Sequence, residues 1–117
     1  MEKASEFIYD YFRNNSDFIS EMNDRLSPLF VSEQSKKFPM AVYNIGESPQ
    51  LTDNARVFPS TLSLCYEPEN YMKAISFADK MKISVDEMPN AEFQSTQVVF
   101  DDENRYIYVN VNFNLIM

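Results

Sequence analysis

The sequence predicts an α+β domain: two main helices packed on one face of a four-stranded, mostly antiparallel or mixed sheet, in the order α-(α)-β-β-α-β-β. Three observations lead there. Apolar residues recur at helical spacing near the N-terminus and again after residue 70, and the last dozen residues alternate apolar and polar. Clusters of Asn, Ser, Pro and Asp separate these patterned stretches. The 117 residues suit one domain, 1–117, and no repeat or shift in composition divides them.

Residues 3–13 place Ala4, Phe7, Ile8, Tyr11 and Phe12 on one stripe, with Lys3, Glu6, Asp10 and Arg13 elsewhere. Asn14-Asn15-Ser16 interrupts that helix. Asn15 or Ser16 is suited to cap a second, short helix carrying Phe18, Ile19, Met22 and Leu26, and Asp17 suits its dipole. Pro28 is expected to end it. Residues 32–37 are polar and read as an exposed connection.

The stretch 38–45 (FPMAVYNI) is apolar enough for a strand buried on both faces, with Pro39 near its start. Residues 46–54 hold the only glycine, Gly46, together with Pro49 and several turn formers, and read as a loop. In 57–66, Phe58, Leu62, Leu64 and Tyr66 share one strand face, and Thr61, Ser63 and Cys65 the other. Glu67-Pro68-Glu69 opens a helix fading by Ser84, with Met72, Ile75, Ala78 and Met81 as its expected buried stripe and Tyr71 and Phe77 flanking. Residues 93–100 and 105–115 flank Asp101-Asp102-Glu103-Asn104 and predict a hairpin. In its second strand Ile107, Val109, Val111, Phe113 and Leu115 alternate with Tyr106, Tyr108, Asn110, Asn112 and Asn114. That polar row is either plain solvent exposure or a contact surface.

Ten basic and eighteen acidic residues give a net charge of −8, which argues against sequence-independent nucleic-acid binding, because that rests on neutralising phosphates. The chain has no histidine, the commonest general base and transition-metal ligand. Cys65 therefore lacks a Cys/His partner and reads as a strand residue. The three consecutive acids at 101–103 lack the alternation and glycine of a calcium loop. One glycine cannot build a phosphate-cradling loop, and no spacing singles out a carboxylate pair. No catalytic, cofactor-binding or metal-binding residue is expected. No stretch approaches the ~20 apolar residues of a membrane helix, and Glu2, Lys3 and Glu6 do not follow the order of a secretory signal. The expectation is a chain made in a cytoplasm, with no membrane partner.

What remains is surface. Some of the area of ten Phe, seven Tyr and seven Met exceeds what one small core needs, and Tyr-rich polar strand faces are common at protein contacts; a core simply rich in Phe and Met is the alternative.

The chain also resembles the phage tail terminator (tail completion) family, small proteins that cap the tail tube of long-tailed phages. FIYDYFRNN followed by DRLSP is similar to the opening of one branch, although Ser27 stands where that branch carries an aromatic residue. FPMAVYNIGESP resembles the proline-led first strand and its loop, here short. ARVFPSTLSLCYEPENYMKAISFADKM resembles the second strand running into a helix through an acidic, proline-containing junction. FDDENRYIYVNVNFNL resembles the closing hairpin, and the likeness runs over about residues 6–115. It implies a homohexameric ring on the last ring of tail-tube protein, at the head–tail junction of a virion assembled in a bacterial host. There it would stop tube growth and meet the head-side connector protein. A ring needs a head-to-tail interface whose rotation closes, and acidic walls would let DNA pass without retaining it. Three surfaces are expected to make contacts. One is the loop with Glu47 and Arg56, the arginine being available to an acidic neighbour. The second is the tip with Asp101, Asp102, Glu103 and Asn104, and the third the row Tyr106, Tyr108, Asn110 and Asn112. Other ring-forming neck or head-completion proteins share these features, and a non-viral adaptor or binding module is the alternative from another class.

Overall fold

The computed structural model describes residues 1–28, 38–48, 50–52 and 55–117. The polar connection expected at 32–37, and Pro49 of the expected loop, lie outside the described residues. Two helices open the chain, α1 (Glu2–Arg13) and α2 (Ser16–Met22). On α1, Ala4, Ile8 and Phe12 are buried at i, i+4 spacing, and Phe7 and Tyr11 pack against the same core. Asn15 caps α2: its Oδ1 accepts from the Phe18 backbone N–H at 2.9 Å. Phe18 and Met22 face inward, while Ile19, expected inside, is exposed.

The first correction comes next. α2 ends at Met22, and Leu26–Pro28 is not its continuation but a short strand, β1. Asn23 reverses the chain with φ 58° and ψ −121°. β1 then pairs in parallel with β2 (Met40–Ile45), Leu26 opposite Ala41. Leu26 is thus buried as predicted, but from a strand; Pro28 ends a strand, not a helix. Arg25 Nε donates to Pro39 O at 2.6 Å across the cis Phe38–Pro39 peptide.

A second correction lies in the expected loop, where Gln50–Thr52 forms β3 against the start of β4 (Ala55–Tyr66). β4 runs through a 3-10 turn, Pro68–Asn70, into α3 (Tyr71–Glu87). The long hairpin β5 (Ala91–Asp101) and β6 (Tyr106–Ile116) completes the fold. Five strands lie in the order β1-β2-β4-β6-β5, with β3 off that path. With β3 counted the sheet has six strands, β1 and β3 being additional to the four predicted, and it is mixed, because β1 runs parallel to β2.

On α3 the buried residues are Ala74, Phe77, Ala78, Met81, Ser84 and Val85. Phe77 belongs to the stripe it was expected to flank, and Met72, expected inside, is 73% exposed. The small Ala74 and Ala78 let the helix lie close to the sheet, and the stripe rotates to use them. Strand alternation supplies the other half of the core: Phe58, Leu62, Leu64 and Tyr66 of β4 and the five apolar residues of β6 are all buried. Rings of Phe12, Phe18 and Phe77 tie the three helices together, with centroids 5.8 and 6.4 Å apart. Each such ring taken from water contributes roughly 1.5–3 kcal/mol.

The helices cover one face of the sheet, since every helix packs on residues of the same strand parity. No helix among the described residues is long and apolar enough to cross a membrane.

Candidate functional site

The other face of the sheet carries no helix among the described residues. Its residues follow from register. Asn44, Thr61, Asn112 and Ser95 form one row across β2, β4, β6 and β5, and Val42, Ser63, Asn110 and Gln97 the next. Met40, Cys65, Tyr108 and Val99 form a third row towards the hairpin tip. The face thus grades from uncharged polar groups to sulfur and aromatic ones.

Within this face the polar side chains bind one another. Thr61 Oγ1 donates to Asn112 Oδ1 at 2.6 Å, and Asn112 Nδ2 donates to Ser95 Oγ at 3.1 Å. Ser63 Oγ donates to Asn110 Oδ1 at 2.7 Å. These short cross-strand bonds hold the carboxamides in one orientation, which lowers the entropy a partner must remove on binding. At the other end the rings of Phe38 and Tyr106 lie 4.7 Å apart, and Tyr106 and Tyr108 meet edge to face at 6.2 Å. The row Tyr106, Tyr108, Asn110 and Asn112 is half-buried throughout. Cys65 and Met40 are buried although they belong to this face. Charge enters at the margins, where Asp101 stands opposite Tyr106 and Glu92 opposite Asn114, and the pre-ordered polar centre with aromatic edges has the composition of a protein contact.

The remaining predicted residues lie at the two ends of the sheet. At the tip, both carboxylate oxygens of Asp101 accept from Asn104, backbone N–H and Nδ2, at 3.0 Å. Arg105 turns the chain with φ 63° and donates its backbone N–H to Asp101 O at 2.7 Å. Its guanidinium lies 3.5 Å from Asp102 and over the ring of Phe100, while Glu103 is exposed. At the far end, Arg56 Nη1 meets Glu47 Oε1 at 3.4 Å, so its acidic neighbour belongs to the same chain. β4 separates the pair from the tip by about 30 Å of strand, and the three predicted surfaces are not one site. Thr61, Ser63 and Ser95 join the Tyr–Asn row; the alternation of β4 carried that signal for the first two, whereas Ser95 required the pairing of β5 with β6.

The displaced acidities belong to the helix side. The Tyr66 hydroxyl is pushed well above its ordinary value by burial, then by the charge of Glu21, and finds no hydrogen-bond partner among the described residues. Tyr11 is raised by burial and by Glu87, opposed by a hydrogen bond with Asn15, while its hydroxyl donates to Ser84 O at 2.6 Å. A groove of about 530 Å³ beside Tyr11 is lined by Phe7, Asp10, Asn14, Asn15 and Pro89, and offers one carboxylate. Among the described residues no group of three or more His, Cys, Asp or Glu is placed to hold a metal.

No family model matches the sequence, and no curated protein matches it. Solved structures do. One chain of a structure described as the virion of a native gene transfer agent (GTA) particle superposes with a TM-score of 0.66 at 7% identity, over 92% of this chain and 88% of that one. The likeness is one of fold. It extends over nearly the whole of both chains.

Proposed function

We propose that this chain is a structural virion protein without a catalytic role, which caps a phage tail tube as a homohexameric ring. In this reading it stops tube growth and joins the head-side connector at the head–tail junction. The observation that carries the reading is the whole-chain likeness in fold to a chain of a gene transfer agent virion. The sequence's resemblance to tail terminators in element order, from the FIYDYFRNN helix to the closing hairpin, supports the finer assignment. The face opposite the helices supports the contact: in this reading Tyr106, Tyr108, Asn110 and Asn112 pack against the adjacent subunit. The tip with Asp101, Asp102 and Glu103 meets an axial neighbour or the lumen, and the loop of Glu47 and Arg56 touches a subunit or the tube. The net charge of −8 suits a passage through which DNA slides.

Native mass and electron microscopy test the reading. Six copies of the 13.7 kDa chain make a ring of about 82 kDa. A ring of that mass is expected, free or on isolated tail tubes. A monomer at every concentration that also fails to bind tubes ends the proposal. Loss of the gene should give overlong tails; normal unattached tails would assign the chain to the head side of the neck instead.

A further inference from the structure

The C-terminal ends of two helices border the groove beside Tyr11, α1 at Asn14 and α3 next to Pro89. A helix C-terminus carries partial negative charge, which a cation in the last turn commonly offsets. α3 has no basic residue in its last turn. That of α1, Arg13, is turned aside: its guanidinium donates to the Tyr9 hydroxyl and lies over that ring, 5.2 Å from the centre, and Tyr9 does not line the groove. Asp10 lines the groove and adds a carboxylate. The charge of Glu87, in the last turn of α3, reaches Tyr11, whose acidity is displaced first by burial and then by that charge. No lysine or arginine lines the groove among the described residues.

Hydrogen bonds narrow the chemistry. The lining side chains that can donate are engaged within the chain: Asn14 Nδ2 with Asp10 O at 2.8 Å, Asn15 Nδ2 with Ser84 Oγ at 3.1 Å and the Tyr11 hydroxyl with Ser84 O at 2.6 Å. The Asp10 carboxylate and Asn14 Oδ1 are acceptors without a partner among the described residues. The groove therefore presents acceptors and negative charge beside the apolar surfaces of Phe7 and Pro89. An ammonium on an aliphatic stem is the complement, with three donors, no acceptor and methylenes for the apolar part. The groove is open, so a free amine would be held from one side only, whereas a lysine is also held by the backbone that delivers it. We propose that this groove takes a lysine side chain of a partner protein, its ammonium on Asp10 and Asn14 Oδ1 and its stem along Phe7 and Pro89. The groove shares no residue with the Tyr–Asn face, and its test does not depend on whether a ring forms.

The experiment titrates the isotope-labelled full chain with a capped Gly-Leu-Lys-Leu-Gly peptide and follows the amide resonances. Saturable shifts are expected at Phe7, Asn14 and Asn15. The same peptide with its lysine acetylated keeps the stem but loses the charge, and should bind at least about tenfold more weakly. Asp10→Asn should weaken binding about threefold or more with the circular dichroism unchanged, since Asp10 is exposed. Glu6→Gln makes the same change of charge one turn away, outside the groove, and should leave the affinity as it was. Absence of saturable shifts would overturn the proposal, and equal binding of the acetylated peptide would reduce the contact to its stem. An equal loss in Glu6→Gln would reduce it to diffuse attraction by an acidic chain. Butylammonium binding as tightly as the peptide would make a free amine the occupant and overturn the assignment to a protein lysine.

Discussion

Ser63 and Asn110 face each other across β4 and β6, joined by a 2.7 Å hydrogen bond in which the carboxamide oxygen is the acceptor. An aspartate at 110 keeps that acceptor. Changing Tyr108 and Asn110 together to aspartate is therefore expected to leave a folded monomer, by circular dichroism, while placing two charges at the centre of the proposed contact face. Ring assembly should be lost on light scattering. Intact rings from this double variant would remove the Tyr–Asn row from the subunit interface.

Tyr66 is buried and its hydroxyl has no hydrogen-bond partner among the described residues, so Tyr66→Phe is expected to remove a polar burden without opening a cavity. Stability near neutral pH should stay level or rise by about 1 kcal/mol in a denaturant titration. A loss above that size would show that the hydroxyl has a partner.

The same residue governs the alkaline limit. In the unfolded chain Tyr66 ionises near its ordinary value of 10.0, whereas burial and Glu21 hold the folded hydroxyl neutral well above it. The unfolded state then binds fewer protons, so stability is intact below pH 10 and falls as pH rises beyond it. Tyr66→Phe should flatten that fall, leaving the smaller contribution of Tyr11, which is raised in the same direction. Identical alkaline profiles for the two proteins would refute the assignment.

Asn23 holds φ 58° and ψ −121° where α2 turns into β1, a region that costs any residue with a Cβ. Asn23→Gly relieves this at an exposed position and should raise stability by roughly 0.5–1 kcal/mol, a few degrees in Tm. No rise would mean that the asparagine side chain contributes as much as the strain costs.

Asn15 does two things: Oδ1 caps α2 at the Phe18 N–H, and Nδ2 donates to Ser84 Oγ on α3 at 3.1 Å. Asn15→Ala should cost about 1–2 kcal/mol, and Asn15→Asp, which keeps the cap acceptor, distinctly less. Equal losses would place the energy in the Ser84 bond.

The elements that could be read from the sequence are those whose periodicity runs long enough to be its own signal. β6 declares itself by ten alternating residues and α1 by its stripe, and the acidic turn locates the hairpin. β1 and β3 have three residues each, too few for any period, and their existence depends on partners distant in the chain. Phe77 and Met72 exchanged roles because α3 is apolar on more than one side, and Ala74 and Ala78 chose which side meets the sheet. The outward facing of Tyr108 and Asn110 follows from alternation alone. Glu47 beside Arg56 does not, nor does the place of β5 at the end of the strand order, because strand order is a property of the whole sheet.

That order has a consequence for how the molecule comes into being. β6 is the last of these strands to leave the ribosome, yet it lies between β4 and β5. Until it arrives, β4 and β5 are strangers with a gap between them, and the apolar side of α3 has only half a floor. Vectorial synthesis therefore cannot lay this sheet down plank by plank; the centre is set last, and the rest closes around it in one step. A nascent chain arrested before residue 106 should accordingly be sensitive to protease throughout, whereas the completed one should resist as a whole.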